Sequence, residues 1–216
     1  MAVTFYYGSG SPYAWRVWFA LEHKSLAYDL RAISFSDGDH KKPEFLKHNP
    51  RHRVPVIVDG DFSLYESAAI LEYLDEQYSS GPSLFPGDAK RRALVRRLVR
   101  EADAYVADAM DPLVDLVLFT KRENWDPEAI SAAYGKFGEE LGKWEPVIAG
   151  DYLAGELSAA DFTLYPMLAL CLRMDIRKPD LNVAGLIGPK LAAWMKRIEA
   201  LPYFGKTIPP HWKAKP

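Results

Sequence analysis

The segment 79–88, SSGPSLFPGD, packs two prolines, two glycines and three serines into ten residues and separates two stretches of different periodicity. Proline lacks a backbone donor and glycine has the most conformational freedom to lose, so neither helix nor strand propagates through such a run. Before it, strand and helix signals alternate. Residues 3–7, VTFYY, are β-branched and aromatic, and GSGS then breaks the strand. From Pro12 the apolar residues Ala14, Val17, Trp18 and Leu21 recur at helical spacing. A second strand is expected at 27–33, a loop over SFSDGDHKK and a short helix around PEFLKHN. VPVIVDGDFSLY reads as two strands joined at Asp59 and Gly60, and Ser67, Ile70, Leu71, Leu74 and Tyr78 mark a further helix.

Beyond the segment the pattern is helical throughout. Helices are expected at 89–121, with Pro112 kinking or interrupting the run, and at 127–148, 159–173 and 184–200; the tail IPPHWKAKP shows no periodicity. The expected class is therefore α/β plus all-α, with one domain over 1–79, a linker over 80–88 and an all-helical domain over 89–216. A chain of 216 residues is long enough for two cores.

Charge and cysteine content remove several functions. With 27 basic against 29 acidic residues, the net charge of -2 provides no footprint for nucleic acid or an anionic membrane. No stretch reaches the roughly eighteen apolar residues needed to cross a bilayer, and MAVTFYYGSG lacks the features of a signal peptide, so a cytoplasmic protein is expected. Cys171 is the only cysteine, which excludes an internal disulfide framework; its helical spacing with Leu164, Met167, Leu168 and Leu172 marks a buried thiol. The five histidines show no metal-ligand spacing, so no metal is expected. SAAD at 158–161 reads as a helix-capping motif.

Three short motifs carry both a structural and a chemical reading. Ser11 before Pro12 has the signature of a helix N-cap, and a hydroxyl in that position also donates to an anion drawn by the helix terminus. Pro55 either opens a strand at a solvent-facing edge or, if its bond to Val54 is cis, turns the backbone of Val54 outward to pair with an extended peptide. Glu66 and Ser67 either cap a helix or grip the carboxylate and ammonium of an α-amino acid head.

SPYAWRV, PEFLKHNPRHRVPVIVDGDFSLYESAAILEYLDEQY and YLAGELSAADFTLYPML together resemble the cytosolic glutathione S-transferase family, and the resemblance spans nearly the whole chain. It implies a thioredoxin-like N-terminal domain that binds glutathione as co-substrate, followed by an all-helical C-terminal domain. It also implies that Pro55 is the cis-proline, that Val54 meets the cysteinyl part of glutathione, that Glu66 and Ser67 hold its γ-glutamyl end, and that His40 and Arg53 contact its glycyl carboxylate. Ser11 matches the activating hydroxyl of the serine-type, theta-like and zeta-like branch; Tyr6, Tyr7 and Ser9 are the alternatives. WRVWFAL resembles the zeta class, which carries a cysteine where this chain has Tyr13. SPYA resembles the glutaredoxin CPYC with both cysteines replaced, which leaves no protein nucleophile for disulfide exchange. A small hydrophobic electrophile is expected in an apolar pocket between the domains, with Tyr13, Tyr105, Met110 and Leu113 as candidate walls. The other readings are a glutathione-dependent dehalogenase or lyase at the same site and a non-catalytic carrier or interaction module. The family resemblance further implies a homodimer, for which Arg91, Arg92, Arg96 and Arg97 offer charges.

Overall fold

The computed structural model describes residues 2–148 and 150–213. In β1 (Val3–Tyr7), Val3, Phe5 and Tyr7 are buried and alternate with less buried neighbours, the period of a strand packed on a core. The chain crosses over through α1 (Pro12–His23) and returns as β2 (Tyr28–Ala32), parallel to β1, with Tyr7 opposite Ala32. After α2 (Pro43–Leu46), β3 (Val56–Asp59) runs antiparallel to β1 with Val56 opposite Tyr6, and β4 (Phe62–Tyr65) runs antiparallel to β3. The described sheet has the order β2-β1-β3-β4, and α3 (Ser67–Gln77) packs against α1. Asp59 pairs with Phe62, so the hairpin turns on Gly60 and Asp61, one residue later than the DG dipeptide suggests. This is a mixed sheet with helices, as the thioredoxin-like expectation requires.

The described residues up to Gly87, with those from Leu201 onward, form one compact unit, and Asp88–Ala200 form a second. In the second unit α4 (Ala89–Glu101) passes through a π-helical turn at 102–106 into α5 (Ala107–Val114), which ends in another π-helical turn at 115–119. Pro112 lies inside α5 and does not end it. Burial of Met110, Leu113 and Val114 on the same helix outweighs the lost donor. The helix expected at 184–200 begins instead at Pro189, because Val183–Leu186 form a separate 3-10 turn before Gly188. After α6 (Pro127–Trp144), α7 (Ala159–Leu172) is buried around nearly its whole circumference and is the central helix of the unit. α8 (Met174–Arg177) and α9 (Pro189–Glu199) complete it. No described helix is long and apolar enough to cross a membrane.

The tail, read from sequence as part of the helical domain, folds as α10 (Phe204–Thr207) and α11 (Pro210–Lys213) within the first unit. Aromatic packing is the reason: Phe204 lies 6.3 Å from Trp15 and 6.0 Å from Phe19, and Trp212 meets Trp15 edge-on at 5.2 Å. The indole N–H of Trp15 donates to the buried Thr207 hydroxyl at 3.0 Å.

His23 at the end of α1 lies 2.8 Å from the Tyr203 hydroxyl. Burial, reinforced by the charge of Lys24, lowers its pKa to about 4. The folded state therefore binds this proton less well than the unfolded chain, and stability is lost as pH falls from the ordinary histidine value of about 6.5 through about 4. Asp161, raised from 3.8 to about 6, acts in the opposite sense from about pH 6 downward, over most of that window. The test is thus a comparison: His23→Gln is expected to lose less stability than the wild type between pH 6.5 and about 4, measured by urea unfolding. Equal losses would contradict this.

Candidate active site

Register places the chemistry at one end of the sheet. Tyr7 opposes Ala32, and Tyr6 opposes Val56, which in turn opposes Tyr65. The loop after β1, the loop after β2, the approach to β3 and the start of α3 therefore gather together, bringing Ser11, His40, Val54, Glu66 and Ser67 to one edge. In the loop after β1, a Cβ on Gly8 would lie 2.7 Å from the Phe35 ring and 3.1 Å from Val54 Cγ2. Gly10 adopts φ +87° beneath the His211 ring.

Ser11 is the N-cap of α1 and its Oγ accepts from the Ala14 N–H at 3.3 Å. Accepting uses a lone pair and leaves the hydroxyl proton available to a second partner. Both readings of this residue are therefore compatible in one geometry. A small cavity lies beside it, lined by Tyr7, Gly8, Ser9, Ser11, Trp18 and Thr207 among others. Of the alternatives, Tyr7 and Ser9 line the same cavity. Tyr6 packs on Phe45 and His48, and Tyr7 packs on Trp18 at 5.1 Å with burial pushing its pKa above the usual 10.0. The Ser9 hydroxyl lies 2.6 Å from His211 Nδ1.

The Val54–Pro55 bond is cis, and the backbone N–H and C=O of Val54 have no backbone partner among the described residues. Asn49, buried, braces this approach by donating to the Arg53 carbonyl at 2.7 Å and accepting from the Arg51 N–H at 2.9 Å. Sequence reasoning passed over Asn49 because its signal, an asparagine before proline, reads as an ordinary turn. The Arg53 side chain is exposed. His40 stacks on Phe35 at 4.9 Å, and its buried Nδ1 has no hydrogen-bond partner among the described residues. Such an atom costs about 1–3 kcal/mol unless something pairs with it.

Glu66 sits at φ +69° and ψ 102°, an unfavourable conformation for a residue with a side chain, and does not cap α3. The first turn of this eleven-residue helix therefore lacks a side-chain cap from Glu66 and presents a positive terminus. Buried Ser67 accepts at Oγ from the Arg16 guanidinium, which ties α1 to the start of α3. Arg16 is 3% exposed, and its guanidinium also lies 5.4 Å from the centre of the Tyr13 ring. The sequence clue to Arg16 was a charge inside the apolar run of α1.

Of the four candidate electrophile walls, Met110 and Leu113 are core residues of the helical unit, 1% and 0% exposed. Tyr13 is half-buried and Tyr105 is 61% exposed. Within the basic run, Arg91 pairs with Glu156, and Arg97 lies 3.5 Å from Glu101. Cys171 is fully buried, which pushes its thiol pKa well up. Among the described residues, no group of three or more histidine, cysteine, aspartate or glutamate side chains is placed to hold a metal ion.

The family models for the glutathione S-transferase N-terminal and C-terminal domains match residues 10–77 and 127–197. The chain is 33% identical to "Glutathione S-transferase 3" of Zea mays, over 92% of this chain and 89% of that one. It is 32% identical to a "Probable maleylacetoacetate isomerase" of Vibrio cholerae, over 91% and 90%. A crystal structure of a glutathione S-transferase from the Antarctic clam Laternula elliptica superimposes with a TM-score of 0.83 at 32% identity, covering 100% of this chain and 95% of that one.

Proposed function

Given that the chain belongs to the glutathione S-transferase family and is a glutathione transferase, we propose that it is of the serine type, with Ser11 as the group that activates the sulfur. The observation carrying this reading is the Ser11 hydroxyl, which accepts from Ala14 N–H and keeps its own proton to donate. Glutathione would lie extended along Val54, pairing with that residue's backbone N–H and C=O. Its γ-glutamyl carboxylate would meet the first turn of α3 and the Ser67 hydroxyl, and its ammonium would face Glu66. The glycyl carboxylate would take the unpaired His40 Nδ1–H and the Arg53 guanidinium.

A free thiol has a pKa of about 8.5 and is mostly protonated at neutral pH. Lowering it by about two units requires roughly 2.7 kcal/mol of preference for the thiolate. One charge-assisted hydrogen bond from Ser11, added to the field of the α1 terminus, is of that size. The thiol proton leaves to solvent, and the thiolate forms a carbon–sulfur bond to a small hydrophobic electrophile, either expelling a halide with its bonding pair or adding so that the displaced π or C–O electron pair takes up a proton from solvent. Tyr13, where the zeta class has cysteine, leads us to read a transferase rather than a maleylacetoacetate isomerase. We further read the protein as a cytoplasmic homodimer, and sedimentation at micromolar concentration that finds monomer alone would count against the dimer.

The reading is tested by glutathione titration with turnover over aryl halides, epoxides, isothiocyanates and enones. Glu66→Ala is expected to raise KM for glutathione by about tenfold while lowering kcat by less than about threefold, because Glu66 contacts a part of the ligand remote from sulfur. Absence of binding at millimolar glutathione would overturn the assignment of the site.

A further inference from the structure

Terminal segments are poorly ordered unless something ties them down. Here the tail ends its described course on the loop that carries Ser11. His211 Nδ1 lies 2.6 Å from Ser9 Oγ, across 202 residues of sequence. The imidazole also covers Gly10, where an added Cβ would fall 2.8 Å from His211 Cε1 and 3.6 Å from Trp212 Nε1. Thr207 and Pro209 form part of the wall of the cavity beside Ser11. The tail therefore meets Ser9, covers Gly10 and shares the cavity wall with Ser11.

That contact bears on the sulfur because α1 grips the Ser11 backbone, whose carbonyl accepts from Trp15 N–H at 3.0 Å, more closely than it grips the side chain. The cap bond from Ala14 N–H is 3.3 Å, beyond the usual range of about 2.7–3.2 Å for N–H···O bonds. The aim of the Ser11 hydroxyl therefore depends on the backbone of residues 8–11 as well as on the helix. Ser11 N–H donates to the Gly8 carbonyl at 3.1 Å, and the other anchor of this loop is the Ser9–His211 contact. Gly10, at φ +87°, lies between these anchors and is the point about which Ser11 would swing.

We propose that His211 is a positioning residue of the transferase site, holding Ser9 and covering Gly10 so that the Ser11 hydroxyl is aimed at the sulfur of bound glutathione. The proposal rests on the serine-type reading above. It places the tail within the glutathione site and assigns Ser9 a supporting role in place of a chemical one.

The test uses the full chain with glutathione as the probe and compares the wild type with His211→Phe, His211→Gln, Ser9→Ala and Ser11→Ala. Phenylalanine keeps a ring over Gly10 without the bond to Ser9, and glutamine keeps a group able to make that bond. Two quantities are read: the ultraviolet thiolate absorbance of bound glutathione against pH, and kcat beside KM for glutathione. His211→Phe and Ser9→Ala are each expected to shift the thiolate midpoint upward and lower kcat by about five- to tenfold, with KM within about twofold. Combining them should add little, because both break the same contact. His211→Gln should recover most of the loss. A tail that only stabilised the fold would lower the unfolding midpoint and leave the thiolate titration in place. If Ser11→Ala shifts the titration and His211→Phe does not, the role of His211 is overturned while the serine reading stands. If Ser11→Ala shifts nothing, both fall.

Discussion

Ser11→Ala is expected to lower kcat/KM at neutral pH by about 10²-fold, the loss seen when a preorganised donor to a developing anion is removed. The rate should recover in part at alkaline pH, where thiolate forms without help. Loss of the cap alone would cost about 1 kcal/mol of stability or less, since the bond to Ala14 is long at 3.3 Å. The glycine variant separates the two roles. Glycine caps a helix within a few tenths of a kcal/mol of serine but offers no hydroxyl, so Ser11→Gly should unfold nearly as the wild type does and yet be as slow as Ser11→Ala. A fast glycine variant would mean that the residue only begins a helix.

Asp161→Ala should produce the largest loss of stability. This side chain is fully buried at the start of α7 and accepts from Leu153 N–H at 3.0 Å, Ser158 N–H at 2.9 Å, the Ser158 hydroxyl at 3.0 Å and the Trp194 indole at 2.8 Å. Burial pushes its pKa up to about 6 against the downward pull of these donors. Alanine would orphan three N–H groups that cannot turn away, at about 1–3 kcal/mol each, for a total of roughly 4 kcal/mol. Ser158→Ala removes one donor and leaves the carboxylate its other partners, so it should cost about 1 kcal/mol. Urea unfolding distinguishes them, and equal effects would show that Asp161 matters only as a cap.

The features legible in sequence are those that depend on neighbours along the chain. Alternation in VTFYY, helical spacing after Pro12 and the capping motif SAAD each correspond to a described element or bond. Features set by distant contacts were not legible. Arg16 meets Ser67 across 51 residues, and His211 meets Ser9 across 202; no local pattern marks either pair. The tail lacks periodicity because its order comes from packing on Trp15 and Phe19 in place of a stripe of its own. Pro112 shows the converse, a strong local signal overridden by burial of the residues around it. For His40 and Arg53 the residues alone suggest little and the family resemblance supplies the role, whereas Pro55 alone already offers the backbone of Val54 as a pairing edge. The structure adds an unpaired imidazole nitrogen at His40 and unpaired backbone at Val54 among the described residues.

The central claim is that this chain holds glutathione as a thiolate by means of one serine. Its most direct test is the ultraviolet absorbance of the glutathione complex against pH, for the wild type and Ser11→Gly. The wild-type complex should titrate about two pH units below the free thiol's value of about 8.5, and the glycine complex should return most of the way toward it. A wild-type complex that titrates like free glutathione, or a glycine complex that titrates like the wild type, would contradict the account.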